Sequence, residues 1–440
     1  MNIEVFSQRR TQFFQQLGKA SAILFAAPSQ VRNDDNSFPY RTCSFFYYLT
    51  GCREPNAAAI FSASSKAPFQ LFVQPKDSMA EVWNGRRLGV DLAKDVYGAD
   101  ACYSIELWEE KFKQTLPHTE ELFLLMGIHR KQENHVLDIL RNHFPNRKNG
   151  EREVVAIRKL QSILSPMRMV KDSGELALMR ENCTNSARAH AKAMAATRPG
   201  LFEYQIAAEI EFQFKYQGAS DLAYPSIVAG GENALILHYV DNKDVLRDGD
   251  LLLIDAGGER GLYASDITRT FPVNGKFSPA QRQLYEIVLQ SQKAAIQAVR
   301  PGARFHDAHD AALRVLLEGL LRLKILTGSV EELMKDRKSY GAFYPHGTSH
   351  WLGLDVHDAG ATYQRSGESV ILVPGNVLTV EPGLYMPTDD ARVPAEFRGI
   401  GIRIEDDVLV TESGREVLTE GVPKEIAAIE ALVGSGSVKI

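Results

Sequence analysis

Apolar and polar positions in the first third of the chain alternate in ways that predict a small α/β domain. Residues 7–17 have helical spacing, and the apolar run Ala22–Ala26 has the length of a buried strand. Two further runs, Ala57–Ser62 and Phe69–Val73, predict strands, and Asn134–Phe144 predicts a helix. Helices interspersed with strands in this way indicate layers of α and β structure.

A second domain is predicted to begin where a new amphipathic helical pattern follows a candidate N-cap at Asp172 or Ser173. The chain has 440 residues, which exceeds the size at which one hydrophobic core usually stops growing. We therefore expect an N-terminal domain over residues 1–172 and a C-terminal domain over residues 173–440.

The C-terminal domain contains a faint internal repeat. The tripeptide Arg-Pro-Gly occurs twice, each time before a predicted helix. Residues 248–257 and 374–383 both run from a turn through an apolar strand to a carboxylate and then a glycine. Repeated units usually pack against each other, so the acids at the two strand ends, Asp255 and Glu381, are expected to meet.

Composition and charge narrow the class of protein. The net charge is -5 without a long basic run, which argues against a nucleic-acid partner, since phosphate binding needs clustered Lys and Arg. The apolar run Ala20–Ala27 is too short to span a bilayer, so we expect no membrane partner. The four cysteines lack CxxC spacing, and reduced thiols in a cytoplasmic protein are expected.

Two aspartates stand at predicted strands of the second domain. Asp255 ends a run of buried-type residues, where an uncompensated carboxylate is costly. Asp266 follows in another β-rich segment, and Gly257–Gly261 predicts a hairpin turn that would place both acids on neighbouring strands. Two kinds of partner are open at this point: an arginine such as Arg269, or a bound cation.

Three of the histidines, His346, His350 and His357, lie close together in the sequence. On a helix His346 and His350 would share a face, which is a known metal-binding arrangement, but Gly347 and Gly353 argue against a continuous helix. The HExxH motif of helical zinc peptidases is absent, because glycine follows His346. The concentration of imidazoles indicates a functional site rather than isolated core histidines.

Glu381 and Glu405 complete a set of four acids at apolar strands. Glu381 ends one strand, whereas Glu405 lies in an alternating segment that places it on the same face as Arg403. The alternative interpretation of that segment is a surface ion pair worth at most ~1 kcal/mol. Four acids with one imidazole suit Mn²⁺, Co²⁺ or Zn²⁺. Because two such ions can activate one water, the residues predict a dinuclear metallohydrolase.

At these residues the chain resembles the pita-bread metallopeptidases, a family that includes aminopeptidase P, prolidase, methionine aminopeptidase and the metal-free creatinases. The family's ligand spacing is matched by Asp255, Asp266, His350, Glu381 and Glu405. The segments most similar to bacterial Xaa-Pro aminopeptidases (aminopeptidase P) are residues 40–51, 80–89, 346–358 and 399–407. The resemblance covers nearly the whole chain, with Thr348 as a departure where leucine is expected. It implies an α/β (α+β) protein: a small N-terminal α/β domain, then a C-terminal pita-bread (creatinase/aminopeptidase) domain with an internal pseudo-twofold repeat.

The resemblance also implies how the metal ligands divide their work. Asp255 would chelate one ion, and His350 and Glu381 would bind the other. Asp266 and Glu405 would bridge the two ions, and Glu381 would shuttle a proton. The implied cofactors are two divalent ions, with Mn²⁺ expected and Co²⁺ or Zn²⁺ as alternatives.

Further residues are implied to contact the substrate or to support the ligands. His238, His346 and His357 would line the pocket, with His357 steadying the tetrahedral intermediate. Tyr385 would contact the substrate, and Arg403 would hold the ligands in place.

The N-terminal domain is implied to serve in oligomerisation and substrate access. Trp83 and Asp35 would reach the active site of a neighbouring subunit, which implies a homo-oligomer, a tetramer or a dimer. A turn anchored by stacking of Trp83 beside Arg86 and Arg87 is the alternative.

The implied function is release of the N-terminal residue from peptides with proline in the second position, with a metal-bridging water or hydroxide as nucleophile. An Xaa-Pro bond has no N–H, so a site that works from the carbonyl side suits it. Prolidase, which cleaves Xaa-Pro dipeptides, shares the ligands and is the alternative enzyme, whereas methionine aminopeptidase does not need the long N-terminal domain. A non-catalytic pita-bread binding module is the alternative from another class, and the complete ligand set argues against it.

Overall fold

The computed structural model describes residues 3–144 and 146–436. The chain forms two compact units, Met1–Met167 and Arg168–Ile440. The domain boundary predicted from the sequence is residue 172.

The first unit is built on a mixed sheet in the strand order β6-β5-β4-β1-β7-β8, in which β1 is antiparallel to β4 and parallel to β7. Its strands are β1 Ser21–Phe25, β2 Val31–Asn33, β3 Asn36–Ser37, β4 Ala58–Ser62, β5 Phe69–Val73, β6 Ala101–Ser104, β7 Glu121–Leu124 and β8 Ala156–Lys159. Its helices are α1 Ile3–Leu17, α2 Ser44–Thr50, α3 Ser78–Asn84, α4 Gly89–Tyr97, α5 Trp108–Thr115, α6 Arg130–Arg141 and α7 Gln161–Met169, the last of which continues past the end of the unit.

The predicted strands of this unit are confirmed as β1, β4 and β5. They are buried over almost their whole length because apolar residues occupy both faces of each strand. Ile23, Ile60 and Phe72 belong to one core cluster between the sheet and its helices. The helix predicted over residues 7–17 is α1, and the one predicted over 134–144 is α6, which begins and ends earlier than expected.

The second unit contains the predicted repeat and the long helix that precedes it. Its helices are α8 Ser173–Ala196, α9 Glu203–Tyr216, α10 Pro279–Ala298, α11 Asp307–Arg322, α12 Val330–Leu333, α13 Arg337–Tyr340 and α14 Ile426–Leu432. Its strands are β9 Asp221–Leu222, β10 Ile227–Gly230, β11 Leu251–Asp255, β12 Gly258–Arg260, β13 Tyr263–Ala264, β14 Thr268–Pro272, β15 Val377–Val380, β16 Gly383–Tyr385, β17 Gly401–Arg403, β18 Asp406–Val410 and β19 Arg415–Val417.

Helix α8 begins at the predicted cap. The Asp172 carboxylate accepts a hydrogen bond from the backbone N–H of Glu175 at 2.9 Å, and the Glu175 carboxylate accepts one from the N–H of Asp172 at 3.0 Å. This capping box satisfies two backbone donors that a helix start would otherwise leave free. The apolar stripe of α8 packs into the main core, where Met194 shares a cluster with Ile254 and Phe271.

The sequence repeat folds as two antiparallel strand pairs, β11 with β14 and β15 with β18. Each pair carries two acids where its pairing ends. Asp255 closes β11 and Asp266 stands just before β14, while Glu381 follows β15 and Glu405 precedes β18. The repeat therefore delivers two acids per pair instead of the one per copy that its sequence pattern indicates.

The connection between Asp255 and Asp266 differs from the predicted hairpin turn at Gly257–Gly261. Strand β12 falls inside that segment and pairs with both β13 and β9 in a separate small sheet. The turn lies later, at Gly261 and Leu262, which both have positive φ angles of 60° and 72°. The predicted position of the turn was therefore wrong by a few residues, whereas the prediction that the two acids stand at neighbouring strands is confirmed by the pairing of β11 with β14.

A close approach at Gly257 brings the two aspartates together. A Cβ atom at this position would lie 1.7 Å from the carbonyl oxygen of Ser265, so a larger residue cannot replace the glycine without moving the backbone. The residue before Gly257 is also held in place, because the N–H of Ala256 donates to the carbonyl oxygen of Ile267 at 3.1 Å.

Candidate metal centre and active site

The histidine-rich segment lies as extended chain beside β15 and not as a helix. The N–H of Thr379 donates to the carbonyl oxygen of His350 at 3.0 Å, and the N–H of Glu381 donates to that of Thr348 at 2.8 Å. The prediction that Gly347 and Gly353 interrupt a helix here is therefore confirmed. This pairing places His350 beside the acid that follows β15.

Acids from both strand pairs converge on the imidazole of His350. Its Nε2 atom lies 3.4 Å from Asp266 Oδ2 and 3.6 Å from Glu381 Oε1. Asp266, His350 and Glu405 each offer a ligand atom within 4.8 Å of the others, which is the spacing of a metal site. The fifth predicted ligand, Asp255, lines the same cavity as these residues. The structure thus brings all five predicted ligands to one place.

Asp255 and Asp266 both contact the hydroxyl group of Tyr224, a residue that was not predicted from the sequence. The hydroxyl of Tyr224 donates to Asp255 Oδ1 at 2.7 Å and also contacts Asp266 Oδ1. A hydroxyl has one proton, so it cannot give both carboxylates a full hydrogen bond. Tyr224 precedes a proline in a short loop, and no spacing pattern connects it with the acids.

The arginine that pairs with Asp255 is Arg403, not Arg269. Arg403 Nη2 donates to Asp255 Oδ2 at 2.6 Å, whereas Arg269 pairs with Asp406 at 2.7 Å. Arg403 and Glu405 are both buried, so the alternative of a surface ion pair between them is wrong. The alternation of apolar and charged residues in this segment predicts one exposed face, but both faces of the strand are buried in the folded protein.

Thr268 is a second residue that the sequence analysis missed. Its hydroxyl donates to Glu405 Oε2 at 2.6 Å and accepts a hydrogen bond from Arg403 Nε at 3.2 Å. A threonine at the start of a β-strand is ordinary, so its sequence gives no sign of this role.

Burial governs the protonation of the acids. Loss of solvation raises the pKa of Asp266 and raises that of Glu405 well above its ordinary value, with nearby carboxylates adding to the effect. Burial also raises the pKa of Glu381 to about 7, although His350 and Arg403 oppose it. Burial lowers the pKa of His350, but Asp266 and Glu381 outweigh that effect and raise it to about 9. Such a cluster retains protons or takes up cations.

Two other predicted histidines lie against this cluster as neutral rings. Burial lowers the pKa of His346 to about 3, and its Nε2 lies 2.8 Å from the hydroxyl of Tyr385. Burial and the neighbouring His350 lower the pKa of His357, whose ring centroid lies 4.4 Å from that of His350. The Tyr385 hydroxyl also accepts a hydrogen bond from Arg403 Nη1 at 2.7 Å.

The acids open into a cavity of about 580 Å³, which is large enough for a short peptide. His238 is exposed and lines this cavity together with His346 and His357. The predicted substrate residues Trp83 and Asp35 belong to the first unit, where both are exposed. The cavity lining itself consists of residues of the second unit.

Comparisons with known proteins identify the family. A model of metallopeptidase family M24 matches residues 177–412, and a model of the aminopeptidase P N-terminal domain matches residues 6–123. The chain belongs to metallopeptidase family M24. The first match contains all five residues of the acid and histidine cluster.

Members of this family align with the chain from end to end. The Xaa-Pro aminopeptidase of Haemophilus influenzae is 44% identical over 98% of this chain and 97% of its own length. The Xaa-Pro aminopeptidase of Escherichia coli is 42% identical and covers 97% of both chains.

Solved structures of family members have the same fold. Aminopeptidase PepP of Pseudomonas aeruginosa superimposes with a TM-score of 0.95 at 42% identity, over 99% of both chains. A zinc-substituted E. coli aminopeptidase P in complex with product gives a TM-score of 0.94 at 40% identity, over the whole of both chains.

These matches confirm the predicted fold, a mixed α/β protein with a C-terminal pita-bread domain, and its assignment as a metallo-aminopeptidase. They also support a divalent metal site, which fits the ligand atoms that converge at His350. Among the described residues, no helix has both the length and the apolar character that crossing a membrane requires.

Proposed function

We propose that the chain releases the N-terminal residue from peptides with proline in the second position, using two divalent ions. The observation that carries this proposal is a set of four carboxylates and His350 in one cavity, where Arg403 is the only arginine or lysine among the described lining residues. Both bacterial relatives above are named Xaa-Pro aminopeptidases, and their full-length similarity supports the substrate class.

Charge balance supports a pair of ions. The proposed ligands are Asp255, Asp266, His350, Glu381 and Glu405. Two dications together with Arg403 exceed the four carboxylates by a single positive charge, which one hydroxide would neutralise. Oxygen-rich ligands with one imidazole suit Mn²⁺ as the ion, with Co²⁺ or Zn²⁺ as alternatives.

When bound, the ions would supply Lewis acidity and lower the pKa of the attacking water. Glu381 is the proposed proton shuttle, because its carboxylate lines the cavity beside His350, where the attacking water would stand. It would take the proton of the attacking water and pass it to the departing proline nitrogen. This nitrogen needs the proton because breaking the C–N bond would otherwise leave it as a strongly basic amide anion.

The neutral rings beside the acids are the proposed substrate contacts. His357 would donate an N–H to the carbonyl oxygen as negative charge develops on it, a contribution that strengthens in the transition state. His346 and Tyr385 would line the position of the proline, and His238 that of the N-terminal residue. Arg403 would fix both Asp255 and Tyr385, to which its Nη2 and Nη1 atoms donate hydrogen bonds.

We propose that residues 1–172 serve in assembly and substrate access. On the short helix α3, Met79, Val82 and Trp83 are 71%, 78% and 81% exposed, which is an unusual concentration of bare apolar side chains. A homo-oligomer, a tetramer or a dimer, would cover them, and Trp83 and Asp35 would then contact substrate in a neighbouring subunit. We also propose a cytoplasmic location, since the four cysteines are scattered along the chain without the spacing of a disulfide framework.

The test is an assay of metal-stripped protein with added Mn²⁺, Co²⁺ or Zn²⁺, on Ala-Pro-Ala and on the dipeptide Gly-Pro in parallel. Release of alanine from the tripeptide, restored by metal and strongest with Mn²⁺, is expected. Turnover of the dipeptide alone would contradict the proposal and identify a prolidase. Failure to cleave either peptide with any ion would contradict proline-directed hydrolysis altogether.

A further inference from the structure

His238, a proposed substrate contact, lies on a loop formed by residues 231–244, the His238 loop. Within it, residues 236–244, all of which the structure describes, belong to no helix or strand. His238 itself is exposed and lines the metal-centre cavity, so neither a strand ladder nor burial fixes its position. Another part of the chain must therefore hold the loop if His238 is to meet a substrate at a defined place.

Tyr239, the next residue, anchors this loop. Of residues 235–245, all of them described, it alone is buried. Its ring belongs to a small core cluster with Ile227 of β10 and Leu253 of β11. Because β11 ends at Asp255, the ring fastens the loop to the strand that carries a proposed metal ligand.

The hydroxyl of Tyr239 is held by a buried carboxylate. It donates to Glu203 Oε2 at 2.8 Å, and Glu203 is the first residue of α9. Three more donors reach the same carboxylate. The N–H of Gly230, where the loop begins, and the side chain of Asn233 donate to Oε1 at 2.7 and 2.9 Å. The N–H of Asp244, where the loop ends, donates to Oε2 at 2.9 Å. One carboxylate thus joins the beginning, the middle and the end of the loop.

The four donors require a carboxylate at this position. Each oxygen of Glu203 accepts two hydrogen bonds, and one of the two comes from a backbone N–H, which can only donate. In a glutamine, the amide NH2 would replace one oxygen and face such an N–H whichever way the amide turned. The start of a helix also favours negative charge.

We propose that Glu203 and Tyr239 are positioning residues, which hold His238 where it meets the N-terminal residue of the substrate. Neither is among the described residues that line the cavity, so both act through His238. The inference rests on the proposed function, which assigns that substrate contact to His238.

The consequence is a loss of substrate binding that leaves the metal centre unaffected. Tyr239→Phe removes one hydroxyl and keeps the ring in its cluster. The kcat/KM for Ala-Pro-Ala should fall roughly tenfold, mainly through a higher KM, because the contact made by His238 is no longer held in place. The number of Mn²⁺ ions per chain should not change. Glu203→Gln should cause the larger loss, since it disturbs all four hydrogen bonds.

The test is a double-mutant cycle of the wild type, Tyr239→Phe, His238→Ala and the double variant, each loaded with Mn²⁺. Removal of the hydroxyl should cost roughly tenfold in kcat/KM when His238 is present and less than about twofold once it is alanine. Tyr263→Phe is the matched control, because the Tyr263 hydroxyl also donates to a buried glutamate, Glu175, at 2.8 Å and lies outside the cavity lining. It should change kcat/KM by less than about twofold.

Hydrogen exchange of the metal-free protein provides a second readout, which does not depend on activity. Exchange over residues 231–244 should be faster in Tyr239→Phe than in the wild type and unchanged in Tyr263→Phe. Exchange that is equally slow in Tyr239→Phe and the wild type would overturn the inference.

An equal loss of kcat/KM from Tyr239→Phe with and without His238 would also overturn it, since the hydroxyl would then act on the fold as a whole. Full activity in Tyr239→Phe or in His238→Ala would do the same. Where Glu203→Gln does not fold, the milder Tyr239→Phe decides. Failure of the proposed function would instead appear as no cleavage of Ala-Pro-Ala by the wild-type enzyme.

Discussion

Glu405 and Asp406 are neighbours in the sequence, and both are fully buried, but their environments are opposite. Asp406 accepts hydrogen bonds from Arg269 at 2.7 Å and Lys424 at 2.6 Å. These cations outweigh burial and lower its pKa. Glu405 accepts a hydrogen bond from Thr268, and burial together with Asp266 raises its pKa well above the ordinary value.

The difference is whether the protein itself supplies the charge that compensates a buried carboxylate. A buried carboxylate needs a compensating charge. For Asp406 and also for Asp358, which contacts Arg168 and Lys171, the protein supplies that charge. For the acids around His350 the protein supplies too little, so the balance must come from solution.

The largest effect is expected from Asp266→Ala, which removes the proposed bridging ligand. The kcat/KM for Ala-Pro-Ala should fall by at least about 10³-fold, equivalent to about 4 kcal/mol in the transition state. Bound metal, measured by mass spectrometry, should fall with it. Most of the wild-type kcat in this variant would refute the ligand assignment.

Removing a carboxylate that the protein itself pairs with cations should lower the stability of the fold instead of the activity. Asp358→Asn leaves Arg168 and Lys171 without their shared carboxylate, and all three side chains are only 1% exposed. The free energy of unfolding in urea should fall by about 3–5 kcal/mol. Asp355→Asn is the matched control, because Asp355 also pairs with Arg168 but is 39% exposed, so its loss should cost at most about 1 kcal/mol. Equal effects of the two substitutions would contradict the role of burial.

A smaller effect is expected from Tyr224→Phe, which removes the hydroxyl shared by Asp255 and Asp266. Groups that orient metal ligands commonly contribute about 10–100-fold, and a loss of that size is expected in metal affinity, measured by titration calorimetry. Tyr285→Phe makes the same chemical change at a buried tyrosine that bonds the carbonyl of Lys424, away from the cavity. Metal affinity that is unchanged in Tyr224→Phe would remove this tyrosine from the site.

The smallest effect is a pH dependence of opposite sign in the two kinds of cluster. The pKa of Glu381 is raised to about 7, so its contribution to stability in metal-stripped protein is present at low pH and is lost as pH rises through 7. The pKa of Asp358 is lowered by Lys171 and Arg168 despite burial, so its contribution is present above its ordinary pKa and is lost only in acid.

Metal-stripped protein should therefore lose up to about 1.4 kcal/mol per pH unit through Glu381 as pH rises from the ordinary pKa of this group to about 7. Added Mn²⁺ should offset that loss, so the increase in Tm on adding metal should grow with pH. An increase that shrinks over this range would contradict the raised pKa values.

The sequence allowed prediction of the acids because their signals are local. Asp255 and Glu381 each end an apolar run, and a carboxylate there is recognisable without a structure. The strands β1, β4 and β5 and the cap at Asp172 were predictable for the same reason.

Features that depend on distant segments were not predictable in this way. Tyr224 contacts acids that lie 31 and 42 residues further along the chain, and Arg403 finds Asp255 across 148 residues. No local pattern could assign these partners, or show that β12 would pair with β9. The matches to the two family models identify the family where local patterns do not, because together they cover most of the chain.

The most direct measurement is the number of divalent ions per chain. Purified protein should be stripped of metal, loaded with Mn²⁺ and analysed by mass spectrometry alongside titration calorimetry. Two ions per wild-type chain are expected, with fewer in Asp266→Ala and an unchanged number in Asp355→Asn. Protein that binds no Mn²⁺ at micromolar concentration, or a full complement of ions in Asp266→Ala, would contradict a metal centre formed by these acids.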